Sequence, residues 1–261
     1  MLARFTENLK SKVENFGAVL RFGFQALRLV ATEGVPPRLL TEQLFECGVK
    51  AIPTTLVSGF FVGAIMAIQI ELQLRNFGAE GAVGGVATSV TIRNVGPVLI
   101  GFILVGKVGA LTTAVLGTMR VTDQIDALTC LGVDPIRMLV APRLIAAIIS
   151  CFLLLTIGLI VSVGGGSALA WLNFGTNPWH YISQIPKFVS LESLLTGGFK
   201  SLAFGTLLGS VACYQGYWAT GGAAGVGKMV RKAAINSLVG IIVADFFISW
   251  IISHFLRGIG H

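Results

Sequence analysis

The stretch Arg93-Asn-Val-Gly-Pro-Val-Leu-Ile-Gly-Phe-Ile-Leu-Val-Gly-Lys107-Val-Gly-Ala-Leu-Thr-Thr-Ala-Val-Leu-Gly-Thr-Met-Arg120 decides how often the chain crosses a bilayer. Cut at Lys107, it yields two apolar pieces of about a dozen residues, each too short for a hydrocarbon core about 30 Å thick. Taken as one helix over 94–119 it spans, with Lys107 near its middle. Four further stretches have few or no central charges: 51–74, 142–172, 194–217 and 233–256. These stretches predict an all-α polytopic membrane protein with five transmembrane helices.

Composition agrees. Of 261 residues, 54% are hydrophobic and 12% charged, and the mean hydropathy is +0.82. A soluble domain carries about 25% charged residues, so a water-solvated globule is excluded. One bundle consumes most of 27.5 kDa and leaves no room for a separate soluble domain. The net charge of +7 does not point to nucleic acid, because blocks of basic residues interleaved with aromatics are missing; an anionic leaflet is the better partner. Cys47, Cys130, Cys151 and Cys213 form no C-x-x-C and have no nearby His pair, so they predict reduced apolar residues and no metal or redox site.

Before the first span, Leu2, Phe5, Leu9, Val13, Phe16, Leu20, Phe24 and Leu27 recur every three or four residues, with Lys10, Lys12, Arg21 and Arg28 between them. That is an amphipathic helix. Lacking a long uncharged run, residues 1–34 are expected to lie in the headgroup plane, ending at Gly34, Pro36 and Pro37, with 35–261 forming the transmembrane domain. The start is not a cleavable signal peptide and is expected to stay on the mature protein. Gly59 with Gly63, Gly109 with Thr113 and Gly117, and Gly205 with Gly209 suit close helix packing, within the chain or between subunits. No repeat relates the two halves, which disfavours an inverted-repeat transporter.

The Lys and Arg count orients the spans. With the N-terminus cytoplasmic, the inner side holds Arg4, Lys10, Lys12, Arg21, Arg28, Arg38, Lys50, Arg120, Arg137, Arg143, Lys228, Arg231 and Lys232. The outer side holds only Arg75, Arg93, Lys187, Lys200 and Arg257. This favours N-in, C-out, with Trp179, His180 and Tyr181 in an outer aromatic turn over 172–193.

Catalytic signatures are absent: there is no H-E-x-x-H and no G-x-S-x-G. Gly222-Ala-Ala-Gly-Val-Gly227-Lys228 imitates a phosphate-binding loop, but Met229 stands where Ser or Thr must hold magnesium and no strand precedes it, so it reads as a glycine-rich cytoplasmic turn. The chain is read as a non-enzyme with no cofactor. Lys107 is the functional candidate by default, since a cation at mid-bilayer costs at least about 3 kcal/mol unless it meets protein, water or an anion. Asp245, read as the only acidic residue deep in the membrane, is its expected partner; Arg93 is placed near the outer end of its helix, able to snorkel.

Over 122–137, Thr122 or Asp123 is expected to cap a short helix. Ile125, Leu128 and Leu131 then share one face, and Gly132 with Pro135 ends it. Such a helix rests on headgroups or fills a groove on a partner, with Asp123 and Asp126 at the rim.

Arg93-Asn-Val-Gly-Pro97, Gly117-Thr-Met-Arg-Val-Thr-Asp-Gln124-Ile-Asp-Ala-Leu, Gly132-Val-Asp-Pro-Ile-Arg137 and Ala141-Pro-Arg143 together resemble the signature of MlaE-type permeases, membrane subunits of ABC transporters that move phospholipids between bacterial membranes. Gly216-Tyr and Gly221-Gly-Ala-Ala-Gly-Val-Gly227 are similar to that family's loop before its last helix. The resemblance implies a homodimeric inner-membrane permease with cytoplasmic ATPase subunits, a STAS-like regulatory subunit and a periplasmic hexamer of MCE-domain proteins. It makes 122–137 the ATPase-coupling helix, with Asp123, Ile125, Asp126, Leu128, Leu131, Asp134 and Arg137 as docking residues. It also implies a lipid pocket in which Met66, Ile70, Leu74 and Phe77 line the acyl chains while Arg93, Asn94 and Lys107 approach the headgroup. The chain departs from the family's usual residues at Asn94, Lys107, Val115, Val230 and Arg231. The competing readings are a stand-alone channel or ion-coupled transporter using a Lys107–Asp245 relay, and a passive anchor for the MCE ring.

Overall fold

The computed structural model describes the backbone of residues 2–259 and the side chains of residues 17–254 other than position 80. Among the described residues there is no strand. Five helical runs are long and apolar enough to cross a membrane: Pro37–Arg75, Val83–Val121, Ile136–Phe174, Leu191–Tyr217 and Gly222–His254. They are called spans one to five. The five expected from the sequence are all present, and three begin well before the point that hydropathy suggested. Span one gains residues from Pro37, span two from Val83 and span five from Gly222, because polar residues beyond the hydrocarbon extend a helix without losing backbone bonds.

Proline decides where these helices start and how one of them continues. Helix Leu2–Glu33 stops at Gly34, whose φ of +72° suits glycine, and Pro36 and Pro37 open the next helix where a missing N–H costs nothing. Pro97 lies inside span two, where its ring would strike the carbonyl four residues back. The helix widens just before it into a π turn over Thr91–Val95, in which Gly96 N–H reaches Thr91 O. A second π turn spans Val105–Gly109.

The small residues pack the chain against itself. A Cβ on Gly59 would sit 2.8 Å from the Gly158 carbonyl, and one on Gly63 would overlap that of Ser162, so span one needs glycine to lie on span three. Gly205 and Gly209 of span four meet Ile148 and Leu144 of span three in the same way, and Thr113 Oγ1 donates to Ala212 O at 3.1 Å. Ile100, Leu104, Val108, Cys151, Leu154, Phe204, Leu208 and Ile241 fill the centre. Span five is the loosest: Val239, Ile242, Val243, Phe246, Phe247, Trp250 and Ile251 face outward, as suits a helix solvated by lipid.

The N-terminal helix divides its faces differently from the single stripe read in the sequence. Val19, Phe22 and Ala26 are buried, Phe22 lying 5.7 Å and 5.5 Å from the rings of Tyr214 and Tyr217. Leu20 and Phe24 point away from the bundle. The remaining stripe positions Leu2, Phe5, Leu9, Val13 and Phe16, with Arg4, Lys10 and Lys12, lie outside the described side chains, as does Arg257.

Gly63→Val should force spans one and three apart, at about 3 kcal/mol, and lower the melting temperature in detergent by about 5–10 °C. Gly164→Ala, where an added Cβ meets nothing within 4 Å, should melt like wild type. Fluorescence-detected size exclusion of heated samples distinguishes the two.

Candidate functional site

Arg93 sits inside the π turn of span two, ten residues beyond the start of the helix, and not at its outer end as the sequence suggested. Its carbonyl is the one whose helical donor would be Pro97, which has no N–H. Lys200 of span four supplies a replacement: Nζ donates to Arg93 O at 2.8 Å. The same ammonium lies 2.7 Å from Asp245 Oδ1 of span five. Lys200 is 1% exposed, so the sequence reading that placed it on the outer side is corrected. Asp245 pairs with Lys200, and the Lys107–Asp245 pair does not form.

Lys107 bonds elsewhere. Its Nζ donates to Lys50 O at 2.6 Å, and the side chain is otherwise exposed. Lys50 lies in the 3₁₀ turn Val49–Ala51, and the next donor in that pattern would be Pro53. Lys107 and Lys200 thus each answer a carbonyl that a proline leaves without its donor. With span two running Val83–Val121, Lys107 lies just past its middle, on the half leading to Val121. Fourteen residues at about 1.5 Å each put it about 20 Å from Arg93, so the two cations belong to different sites.

Around Arg93 the chain forms an open groove of about 500 Å³ between span two, with Ser89, Val90, Arg93 and Asn94, and span five, with Phe246, Ser249, Trp250 and Ser253. The Arg93 guanidinium is 42% exposed and lies 3.7 Å from Glu192, itself outside the groove lining. The groove joins one guanidinium, three serine hydroxyls and an amide to two aromatic rings, a combination suited to an anionic group attached to something apolar. The serines and Trp250 carry no sequence signal beyond lying one helical turn or so apart on two apolar helices. A second cavity, among Gly59, Thr91, Gly96, Gly158 and Ser162, holds about 20 Å³, room for one water and too little for an acyl chain.

The expected acyl-lining residues divide. Ile70 and Leu74 pack on Ala67, Val83, Ala170 and Tyr181 and are half-buried by the chain itself, Met66 is half-buried, and Phe77 is exposed beyond the end of the helix. The apolar residues of span one that face outward include Val57, Phe61, Ile65 and Leu72. Hydropathy missed this because the helix is apolar nearly all round. Asp245 is not the only acidic residue inside the bundle, because Glu71 is a further carboxylate there, 3% exposed. Near it the 172–193 loop folds into two short helices, leaving Trp179 exposed and burying Tyr181; burial pushes the Tyr181 phenol up to about 12.

The short helix expected after span two forms over Gln124–Cys130. Neither expected cap operates: Asp123 turns the corner at φ +58° without a side-chain bond, and Thr122 Oγ1 donates back to Thr118 O at 2.8 Å. Ile125 is buried in the bundle, Leu128 is half-buried, and Leu131, just past the helix end, is exposed, so the three do not share a docking face. The free face carries Gln124, Ala127 and Leu131. Asp126 pairs with Arg120. Asp134 Oδ1 accepts from Ile136 N–H at 2.8 Å, and Arg137 bonds Glu33 at 2.8 Å, tying the N-terminal helix to this segment. Gly222–Met229, expected as a turn, is the start of a helix, and only Gly221 and Gly222 take positive φ.

The family described as Permease MlaE matches residues 40–251 of the chain. A probable ABC transporter permease protein of Rickettsia typhi is 34% identical over 236 residues, covering 90% of this chain and 91% of that protein. One from Synechocystis is 35% identical over 210 residues, 80% of each chain. The Arabidopsis thaliana protein trigalactosyldiacylglycerol 1, chloroplastic, is 32% identical over 219 residues, 84% of this chain and 62% of its own length.

Ile125→Asp should bury a carboxylate without a partner and abolish the folded, monodisperse peak in size exclusion, whereas Leu131→Asp should elute and melt like wild type.

Proposed function

The chain belongs to the MlaE permease family, and on that premise we propose that it is the membrane subunit of an ABC transporter that moves phospholipids between the inner and outer membranes of a bacterium. It binds the lipid, and ATPase subunits on separate polypeptides drive the cycle. The observation that carries the headgroup assignment is Arg93 opening into a groove that also presents Phe246 and Trp250: a guanidinium holds a phosphate, while the exposed Phe61, Ile65 and Leu72 of span one, with half-buried Met66 and with Phe77 beyond its end, take the acyl chains. Asn94 joins Arg93 at the headgroup. Lys107 holds the Lys50 carbonyl and takes no part in that site.

The helix Gln124–Cys130 couples the permease to the ATPase through Gln124, Ala127 and Leu131, with Asp123 at the rim, while Ile125, Asp126, Leu128, Asp134 and Arg137 brace it from behind. The N-terminus is cytoplasmic and the C-terminus periplasmic; with Lys200 buried in the bundle, fewer cations remain on the outer side, which supports this orientation. Two copies form the permease, with a STAS-like subunit on the cytoplasmic side and an MCE-domain hexamer on the periplasmic side. The rival ion-coupled reading loses its relay, since Lys107 and Asp245 bond to different partners.

Leu131→Asp and Ala127→Arg should leave the bundle folded, release the ATPase on co-purification, and cut ATP-driven lipid transfer at least about tenfold, as expected for central interface positions. Wild-type transfer by both variants contradicts the coupling role.

A further inference from the structure

Lys200 is too deeply buried to touch a ligand in the groove, yet it bonds both walls. A hydrogen bond runs to the Arg93 carbonyl in span two, and an ion pair joins Lys200 to Asp245, next to Phe246, in span five. We propose that Lys200 is the positioning residue of the headgroup groove, replacing the hydrogen bond that Pro97 cannot donate and thereby aiming the Arg93 guanidinium at the lipid phosphate. The inference rests on the headgroup reading above.

Proline at 97 leaves Arg93 O without its helical donor, and in a membrane an unanswered carbonyl costs several kcal/mol. Backbone in that position twists until it finds a donor, and because the side chain of Arg93 leaves the same residue, any twist re-aims the guanidinium. A donor fixed on a different span stops the twist. Lys200 is such a fixed donor, since its stem lies among spans two, four and five and its charge is balanced by Asp245.

Close approach at the same turn supports this. Gly197, one turn from Lys200 on span four, lies so near that a Cβ there would sit 2.7 Å from Ile92 O. Span four therefore presses on the π turn at two consecutive residues, Ile92 and Arg93, through glycine and lysine. A lysine that served only to neutralise Asp245 would need neither the carbonyl bond nor the glycine.

The test compares binding of dioleoyl phosphatidylglycerol and dioleoylglycerol, which differ by the phosphoglycerol headgroup, to the full-length chain stripped of lipid in detergent. The preference for the phospholipid measures phosphate capture. Arg93→Ala should reduce a preference of tenfold or more to about unity; if it does not, the headgroup reading itself fails, independently of Lys200. Lys200→Met/Asp245→Asn removes both charges together and should lower the preference at least fivefold in protein that elutes and melts as a folded species. Gly197→Ala touches no charge and leaves the Lys200–Asp245 pair free to form, yet by pushing span four off the turn it should lower the preference comparably. A role as counter-ion alone predicts wild-type preference in both. Retention of that preference by either folded variant, with Arg93→Ala defective, overturns the proposal, and Gly197→Ala decides it should the double variant fail to fold.

Discussion

A proline inside a membrane helix leaves a carbonyl that hydrocarbon cannot satisfy, and much of the polar architecture of this chain follows from two such carbonyls. Pro97 exposes Arg93 O and Pro53 exposes Lys50 O; Lys200 and Lys107 answer them. Each of these lysines would be costly at its depth if it were there only to carry charge. Each is instead a donor with a fixed acceptor, and the charge of the deeper one is matched by Asp245. The π turn before Pro97 belongs to the same arrangement, because it widens the helix where the proline ring would otherwise collide.

The same arrangement explains how span five stays attached. Its outward face is a row of large apolar side chains that lipid solvates as well as protein would, so hydrophobic burial does little to hold it. The Lys200–Asp245 pair and the packing of Ile241 into the centre give it defined contacts with spans two and four. A loosely held wall with one strong polar tether leaves the groove free to widen, whereas the glycine contacts between spans one and three make a rigid frame.

The number and order of spans were legible because Lys107 divides an apolar run that is long enough only when whole. The short helix after span two was legible from Gly132 and Pro135, but not its orientation: Ile125 and Leu131 have the same apolar character, and only tertiary packing makes one core and the other surface. Lys200 was invisible as a buried donor because it stands near the end of a moderately hydropathic segment, where a lysine reads as a headgroup residue. The Lys107–Asp245 pairing failed on depth. Asp245 meets Lys200 level with Arg93, fourteen residues and about 20 Å along span two from Lys107. The groove itself draws serines from two helices distant in sequence, and no spacing rule joins residues 89–94 to 246–253.

On this view the permease is a lipid-binding conduit whose motive force lies in another subunit. Reconstitution into liposomes, with a fluorescent phospholipid followed from donor membrane to acceptor, tests this directly. The expected result is ATP-dependent movement only when the ATPase is present with the chain. Equal movement by the chain alone, with or without ATP, would contradict it.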